Sequence, residues 1–362
     1  MRHPLTPTSD NTPDLPGLEL VAPFVDTTED GKSNTIELFD ALMTYSGEHA
    51  REGLRFIEAT KQFRGRTFQV RISPAVIKRK NGAPATILPG LRENLVEKTL
   101  RKMAADDLSN IAAPRAENGN VEVWVRFTLY RLRKILAEQN HHFTIAQLEE
   151  ALKVLQGSRL EVSGDIDNDA VAGRTANILQ DVAWCKRKTG DKEGREHTIA
   201  AKFHPFVTRS IVQRTFRRID FARLMRPKNE LARWIYSRMS HNYTQAGEMD
   251  LYEFQVNKNE RAGYHLALTT ILRETGFSYA DTTRALRAVR RALTKLREQD
   301  VIMKTNWLGQ EFAGWIEFPS YGPAKGNRPP LQDCRFVLFP SLSVIDDVIK
   351  ANRTAQELRR LK

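Results

Sequence analysis

The stretch from Ser278 to Val301, SYADTTRALRAVRRALTKLREQDV, constrains the fold most, because only a helix brings its apolar residues to one side. At about 100° per residue, Leu286, Val289, Leu293 and Leu296 fall together, with Ala285 and Ala292 at the edge. Arg284, Arg287, Arg291 and Lys295 gather opposite, and Arg290 and Arg297 flank the apolar stripe. Ser278 has the chemistry of an N-cap, which puts Asp281 in the first turn, facing the positive end of the helix dipole. One face suits a core and the other a polyanion. The bland alternative is a solvated face. Against it, no acid interrupts the basic row to pair at i,i+4.

Charge is distributed in the same sense. Residues 1–200 hold 28 Lys+Arg against 28 Asp+Glu, whereas residues 201–362 hold 28 against 16, so the whole net charge of +12 lies in the second part. Such asymmetry implies a polyanionic partner for that part. Leu and Val rather than Trp and Phe back the basic helix, which favours nucleic acid over a membrane surface. No apolar run approaches the roughly 18 residues of a membrane span. The N-terminal MRHPLTPTSDNTPDLPG lacks an apolar core, so no secretion signal is expected. Cys185 and Cys334 form neither a disulfide framework nor a metal-ligand spacing, which fits a reducing cytoplasm.

At 362 residues the chain is long enough for two core-bearing domains. Residues 1–33, rich in Pro, Asp, Thr and Ser, read as a disordered tail. Thr35 to Thr60 reads as helix broken near Ser46-Gly47, followed by strands at Thr67–Ile72 and Ala85–Leu88 around an Asn81-Gly82 turn. Then comes a specific order: a helix from Glu93 to Asp106, a strand at Val121–Val125, and helices at Thr128–Gln139 and Ile145–Gln156. Thr144 and Gln147 form a capping box for the last of these. Leu160-Glu-Val162 starts a hairpin whose return strands are Asn177–Lys186 and His197–Phe203. Helix, strand, helix, helix, hairpin is the winged-helix order.

The order recurs in the basic half. Asp220–Ser240 reads as the first helix, Leu251–Phe254 as the strand, Tyr264–Glu274 as the second helix and the opening stretch as the third. Ile302–Lys304, Gly314–Phe318 and Arg335–Phe339 supply the wing. Phe143-Thr-Ile-Ala146 and Phe277-Ser-Tyr-Ala280 echo each other at the helix junctions, so an internal repeat is inferred. The two third helices differ, since the first presents Glu149, Glu150 and Lys153 outward, and carboxylates there repel phosphate. The fold class predicted is α+β, with tandem winged-helix domains each carrying a β-hairpin wing. Residues 34–210 form the first, for protein contacts or flanking DNA, and 211–345 the DNA-binding one. Residues 346–362 form a basic C-terminal tail.

Val125-Arg-Phe-Thr-Leu-Tyr130 and Leu148-Glu-Glu-Ala-Leu-Lys-Val-Leu-Gln-Gly-Ser-Arg-Leu-Glu-Val162 resemble the winged-helix replication initiator proteins of bacterial plasmids, of the replication initiator protein A type. Val70 to Leu88 and Leu231-Ala-Arg-Trp-Ile-Tyr-Ser-Arg238 are similar too, and the resemblance spans about residues 35–340. It implies binding to direct repeats of double-stranded DNA at a plasmid origin, local melting, and recruitment of the host initiator and replicative helicase. It also implies a homodimer in equilibrium with a monomer, for which the first module is the interface expected here.

On a winged helix the third helix enters the major groove, where Arg reads guanine O6 and N7. Arg284, Arg287 and Arg291 are the candidates for base edges, with Thr282 and Thr283 as smaller contacts. Lys295, Arg290 and Arg297 are assigned to phosphate, as are Lys258, Arg261, Lys304 and the run Arg214, Arg217, Arg218, Arg223. Each alone is as well read as a solvated charge; the row as a set is the firmer inference. His141-His142 read as turn residues, and Cys185, His197 and His204 lack zinc spacing. No phosphate-binding GxxxxGK[ST] loop is present, so no cofactor is expected and melting must draw on binding energy. A non-enzymatic initiator is the reading, against a transcriptional repressor on the same scaffold and, further behind, a nicking or recombining enzyme.

Overall fold

The computed structural model describes residues 18–25, 31–42, 55–63, 66–78, 82–164, 172–185, 198–243, 263–275, 279, 281–306, 309–323 and 329–360. Its first described segment corrects the expectation of a tail over residues 1–33. Helix α1 (Leu18–Val21) runs into a 3-10 turn at Ala22–Phe24, and Val21 and Phe24 are fully buried. The Phe24 ring meets Phe216 edge-on, with centroids 5.0 Å apart. A short apolar run inside a Pro-rich composition is enough to enter a core. Strand β1 (Lys32–Ile36) follows, then helix α2 (Glu37–Leu42). The helix predicted as far as Thr60 fails at its far end, because strand β2 occupies Ile57–Phe63. Its outward Glu58 and Thr60 alternate with the inward Lys61, a period of two rather than 3.6. The Ser46-Gly47 break lies outside the described residues.

Strand β2 pairs with β3 (Arg66–Ser73), and β4 (Ala75–Lys78) forms a hairpin with β5 (Pro84–Ile87). Helix α3 (Leu91–Asp106), strands β6 (Ile111–Ala112) and β7 (Trp124–Thr128), and helices α4 (Leu129–Glu138) and α5 (Ile145–Gly157) come next. The capping box on α5 is present: Gln147 N donates to Thr144 Oγ1 at 3.2 Å and Thr144 N to Gln147 Oε1 at 2.8 Å. The strand after α5 departs from expectation. Strand β8 (Arg159–Gly164) pairs with β3 and β9 (Ala172–Asn177) in a sheet ordered β2-β3-β8-β9. Leu160 faces Ile72 and Val162 faces Val70, so its apolar side is satisfied there. The wing is instead β10 (Leu179–Cys185) and β11 (Thr198–Phe203). Their sheet runs β10-β11-β7-β6, so the strand entering α4 pairs with the returning wing strand, as in a winged helix.

Helix α6 (Pro205–Val212) and strand β12 (Phe216–Asp220) lead onward, β12 pairing antiparallel with β1. The helix expected over Asp220–Ser240 is two helices, α7 (Phe221–Met225) and α8 (Glu230–Asn242). Pro227 lies between them without an N–H, and Asn229 caps the second by accepting from Ala232 N at 3.1 Å. Leu251–Phe254 lies outside the described residues. The strand that enters the second helix is β13 (Tyr264–Ala267), predicted as helix; Tyr264 and Leu266 point in and His265 out. Helices α9 (Leu268–Thr275) and α10 (Thr282–Glu298) and strands β14 (Trp315–Tyr321) and β15 (Leu331–Leu338) complete the unit. Its sheet is ordered β13-β15-β14, repeating the winged-helix pairing. Ile302–Lys304 adds no strand; Ile302 makes a single bridge to Pro340.

The predicted basic tail is corrected too. Helix α11 (Leu342–Arg360) buries Val344, Ile345, Val348 and Ala351 at helical spacing and packs on β12. Its Asp347 accepts from Lys32 at 2.6 Å and Arg223 at 3.0 Å. One hydrophobic core gathers residues from Val21 to Met225 and a second from Ile219 to Val348. Between the modules, the buried Lys61 ammonium donates to the Glu274 carbonyl, and His141 Nε2 lies 2.8 Å from Met225 O. A buried ionic group sits close by. The Arg101 guanidinium donates to both Asp40 oxygens at 2.7 and 3.1 Å and to Glu97 at 2.7 Å.

Candidate nucleic-acid interface

The third helix of the second module starts later than Ser278 would place it. Asp281 is the N-cap, accepting from Arg284 N at 2.7 Å, so Thr282 and Thr283 open the first turn. At the other end Asp300 takes φ +57°, and Val301 N donates to Leu296 O at 2.9 Å, closing the helix as a left-handed cap. Between these caps Leu286, Val289, Leu293 and Leu296 are buried, with Ala285 and Ala292 beside them. Burying four such side chains is worth roughly 6 kcal/mol or more, which sets the rotation of α10. Arg284, Arg287, Arg291 and Lys295 are therefore held outward, and all four are exposed.

Exposure does not make the four equivalent. Arg284 Nε stands 3.4 Å from Asp281, and Lys295 Nζ 2.8 Å from Glu298. Both ends of the row are thus paired at i,i+3 with acids that flank it, contacts that the absence of i,i+4 partners did not reveal. Arg287 and Arg291, at its centre, have no carboxylate partner among the described residues. Arg291 lies near Tyr279, where burial raises the phenol and this cation opposes the rise. The free positive charge of the helix is concentrated in two guanidiniums.

The flanking cations, assigned to phosphate on sequence grounds, are engaged with the wing. Arg290 grips Glu317 of β14 as a fork, Nε at 2.9 Å from Oε1 and Nη2 at 2.6 Å from Oε2. Arg297 donates to Phe312 O at 2.9 Å, Lys304 O at 3.2 Å and Glu311 at 2.9 Å. Seven residues apart, the two share one edge of the helix, and that edge faces the wing. The physical reason is proximity: the chain folded back on the helix places acids and carbonyls within hydrogen-bond reach of both guanidiniums. Lys304 is exposed, with Asp300 3.8 Å away. Lys258 and Arg261 lie outside the described residues.

Two cations of the interdomain run are engaged within the fold. Arg217 donates to His241 O at 2.6 Å and to the Asn352 side chain, and Arg223 to Asp347 and Ser343. Arg214 and Arg218 have partners as well. Arg217 and Arg223 fasten β12 and α7 to α8 and α11.

Glu317 is the site residue the sequence reading missed. Its Oε1 also accepts from Trp315 Nε1 at 3.0 Å, so one carboxylate joins helix, strand and indole. Burial alone would raise its carboxyl, but hydrogen bonds from Arg290 and Trp315 outweigh that and hold it below the usual range. The pairing with Glu317 raises Arg290 in turn. The only signal in the sequence was an acid two places after Trp315 in a strand, which alternation puts on the same face.

In the first module, α5 presents a different surface. Glu150 pairs with Arg92 at 2.6 Å. Val154, on one flank, is buried against Ala75, Ile77 and Ile87 of the β4–β5 hairpin. A methyl group added at Gly157 would meet Ala75 Cβ at 2.7 Å, so the hairpin lies directly on the helix end. Among the described residues no cluster of His, Cys, Asp or Glu could hold a metal ion, and no helix is long and apolar enough to cross a membrane.

No family model matches the chain, and no curated protein matches it in sequence. Among solved structures, domains 2 and 3 of RctB are similar at 8% identity and a TM-score of 0.47, over 83% of this chain and 95% of that one. A second structure of RctB domains 2–3 gives 8%, 0.45, 87% and 99%. The Pi initiator protein in complex with iteron DNA is similar at 13% identity and a TM-score of 0.36, over 68% of this chain and 94% of that one.

Proposed function

We propose that the protein is a non-enzymatic initiator of plasmid replication that binds repeated double-stranded sites at an origin through α10. The observation that carries this reading is the exposed pair Arg287 and Arg291, without carboxylate partners among the described residues, on a helix whose opposite face and wing-side edge are both anchored. Rigid presentation of two guanidiniums suits bidentate recognition of guanine, and the adjacent wing suits the flanking backbone. The confinement of the net positive charge to residues 201–362 supports the same partner. With its hairpin-covered flank and acidic outer positions, α5 is assigned to protein contacts or flanking DNA, including the homodimer in equilibrium with monomer.

Melting of adjacent DNA would be driven by binding energy, and the opened segment would receive the host initiator and replicative helicase. Footprinting of the purified protein on the DNA flanking its own gene tests the reading. Protection of several direct repeats, with permanganate-reactive thymines in a neighbouring AT-rich segment, is the expected result. Protection of one inverted repeat without permanganate reactivity would identify a repressor instead. A covalent protein–DNA adduct would identify a nicking enzyme.

A further inference from the structure

We propose that Glu317 is a positioning residue for sequence discrimination: by holding Arg290 in a fork, it fixes the wing against α10 and withholds that cation from phosphate. This rests on the reading of α10 as the groove-entering helix. Three observations carry it. The Glu317 carboxylate takes both the Nε and Nη2 hydrogens of Arg290, so the guanidinium is held in plane as well as neutralised. Glu317 is anchored on its own strand by the Trp315 indole, and its side chain is only 20% exposed. Arg297 holds the segment that leads into β14 from the same edge of the helix, so two fasteners set one angle between helix and wing.

The consequence concerns selectivity more than attraction. A basic helix with six cations between Thr282 and Glu298 would adhere to any duplex if all were available. Here the wing and the helix's own acids occupy four of them, leaving Arg287 and Arg291 unpaired with any described carboxylate. Loss of the Glu317 charge frees Arg290, whose side chain is half exposed, to meet phosphate at any sequence. At the same time it loosens the angle at which the wing reaches the duplex.

The test uses the full-length chain with two probes: a duplex enriched by the protein from random-sequence DNA, and a shuffled duplex of the same composition. For Glu317→Gln, affinity for the shuffled duplex should rise about two- to fivefold near 0.1 M salt, and its salt slope should steepen by about one. The ratio of enriched to shuffled affinity should fall about tenfold. Arg290→Gln should lower the ratio similarly without steepening the slope, because no cation is released. A pair with a purely structural role would instead lower both affinities in step with the thermal midpoint in both variants. That result, or an unchanged slope and ratio in Glu317→Gln, overturns the proposal. The double variant Arg287→Ala/Arg291→Ala separates the two levels. If it binds the enriched duplex like the parent, the α10 reading fails and this assignment with it; if it loses binding while Glu317→Gln is silent, only the assignment fails.

Discussion

Replacing Arg291 by Ala isolates the chemistry expected of the row's centre. The side chain is exposed and makes no ion pair with a described carboxylate, so its removal leaves no stranded charge and no cavity. The folded chain should therefore keep its stability within about 0.5 kcal/mol. Against the enriched duplex, loss of a bidentate guanine contact should cost about 1–3 kcal/mol, or roughly 5- to 150-fold in Kd. Lys295→Ala is the contrast. Its ammonium must first leave Glu298, a half-exposed pair worth roughly 0–1 kcal/mol, so part of any phosphate contact is already offset. That variant should weaken all sequences alike and flatten the salt slope by less than about one unit. Fluorescence anisotropy against the enriched duplex and its single-base variants, at several salt concentrations, reads both effects. Arg291→Ala should relax preference at one base position. Equal, sequence-blind losses in both variants would refute the division into reader and clamp.

Other expectations follow from the first module and the interface between modules. Glu149→Ala, on the outer side of α5, should leave sequence preference untouched, and a changed preference would make α5 a reader. Asp40→Asn leaves the buried cations Arg101 and Lys98 to share the Glu97 carboxylate, so one positive charge of the group goes uncompensated, and it should cost about 3–5 kcal/mol in urea unfolding; less than 1 kcal/mol would mean the group is not closed to water. Buried His241 is held neutral, its pKa brought down to about 3 chiefly by burial, with Arg217, Lys98 and Arg101 adding to the effect and Asp40 opposing it. The unfolded chain then takes up a proton below about pH 6.5 that the fold refuses, so this stability is present above that pH and lost as pH falls. His241→Gln should gain on the parent by about 1.4 kcal/mol for each pH unit between about 6 and 4, and parallel stability curves would contradict it.

The sequence alone determined the elements whose signals are local. The helices α3, α4, α5 and α10 followed from apolar spacing, and the α5 capping box from Thr144 and Gln147, because those interactions span only a few residues. The outward set of Arg284, Arg287, Arg291 and Lys295 was legible for the same reason. Tertiary structure alone decided that the flanking Arg290 and Arg297 are engaged. Glu317 lies 27 residues from Arg290, and nothing in the spacing told that a wing would fold the one onto the other. Strand identity failed likewise at Ile57–Phe63 and Tyr264–Ala267, since a short apolar run becomes strand only when β3 or β15 offers hydrogen bonds. The terminal segments were misread for a related reason. Composition counts residues, whereas Val21, Phe24 and Val348 are ordered by distant surfaces that happen to need covering.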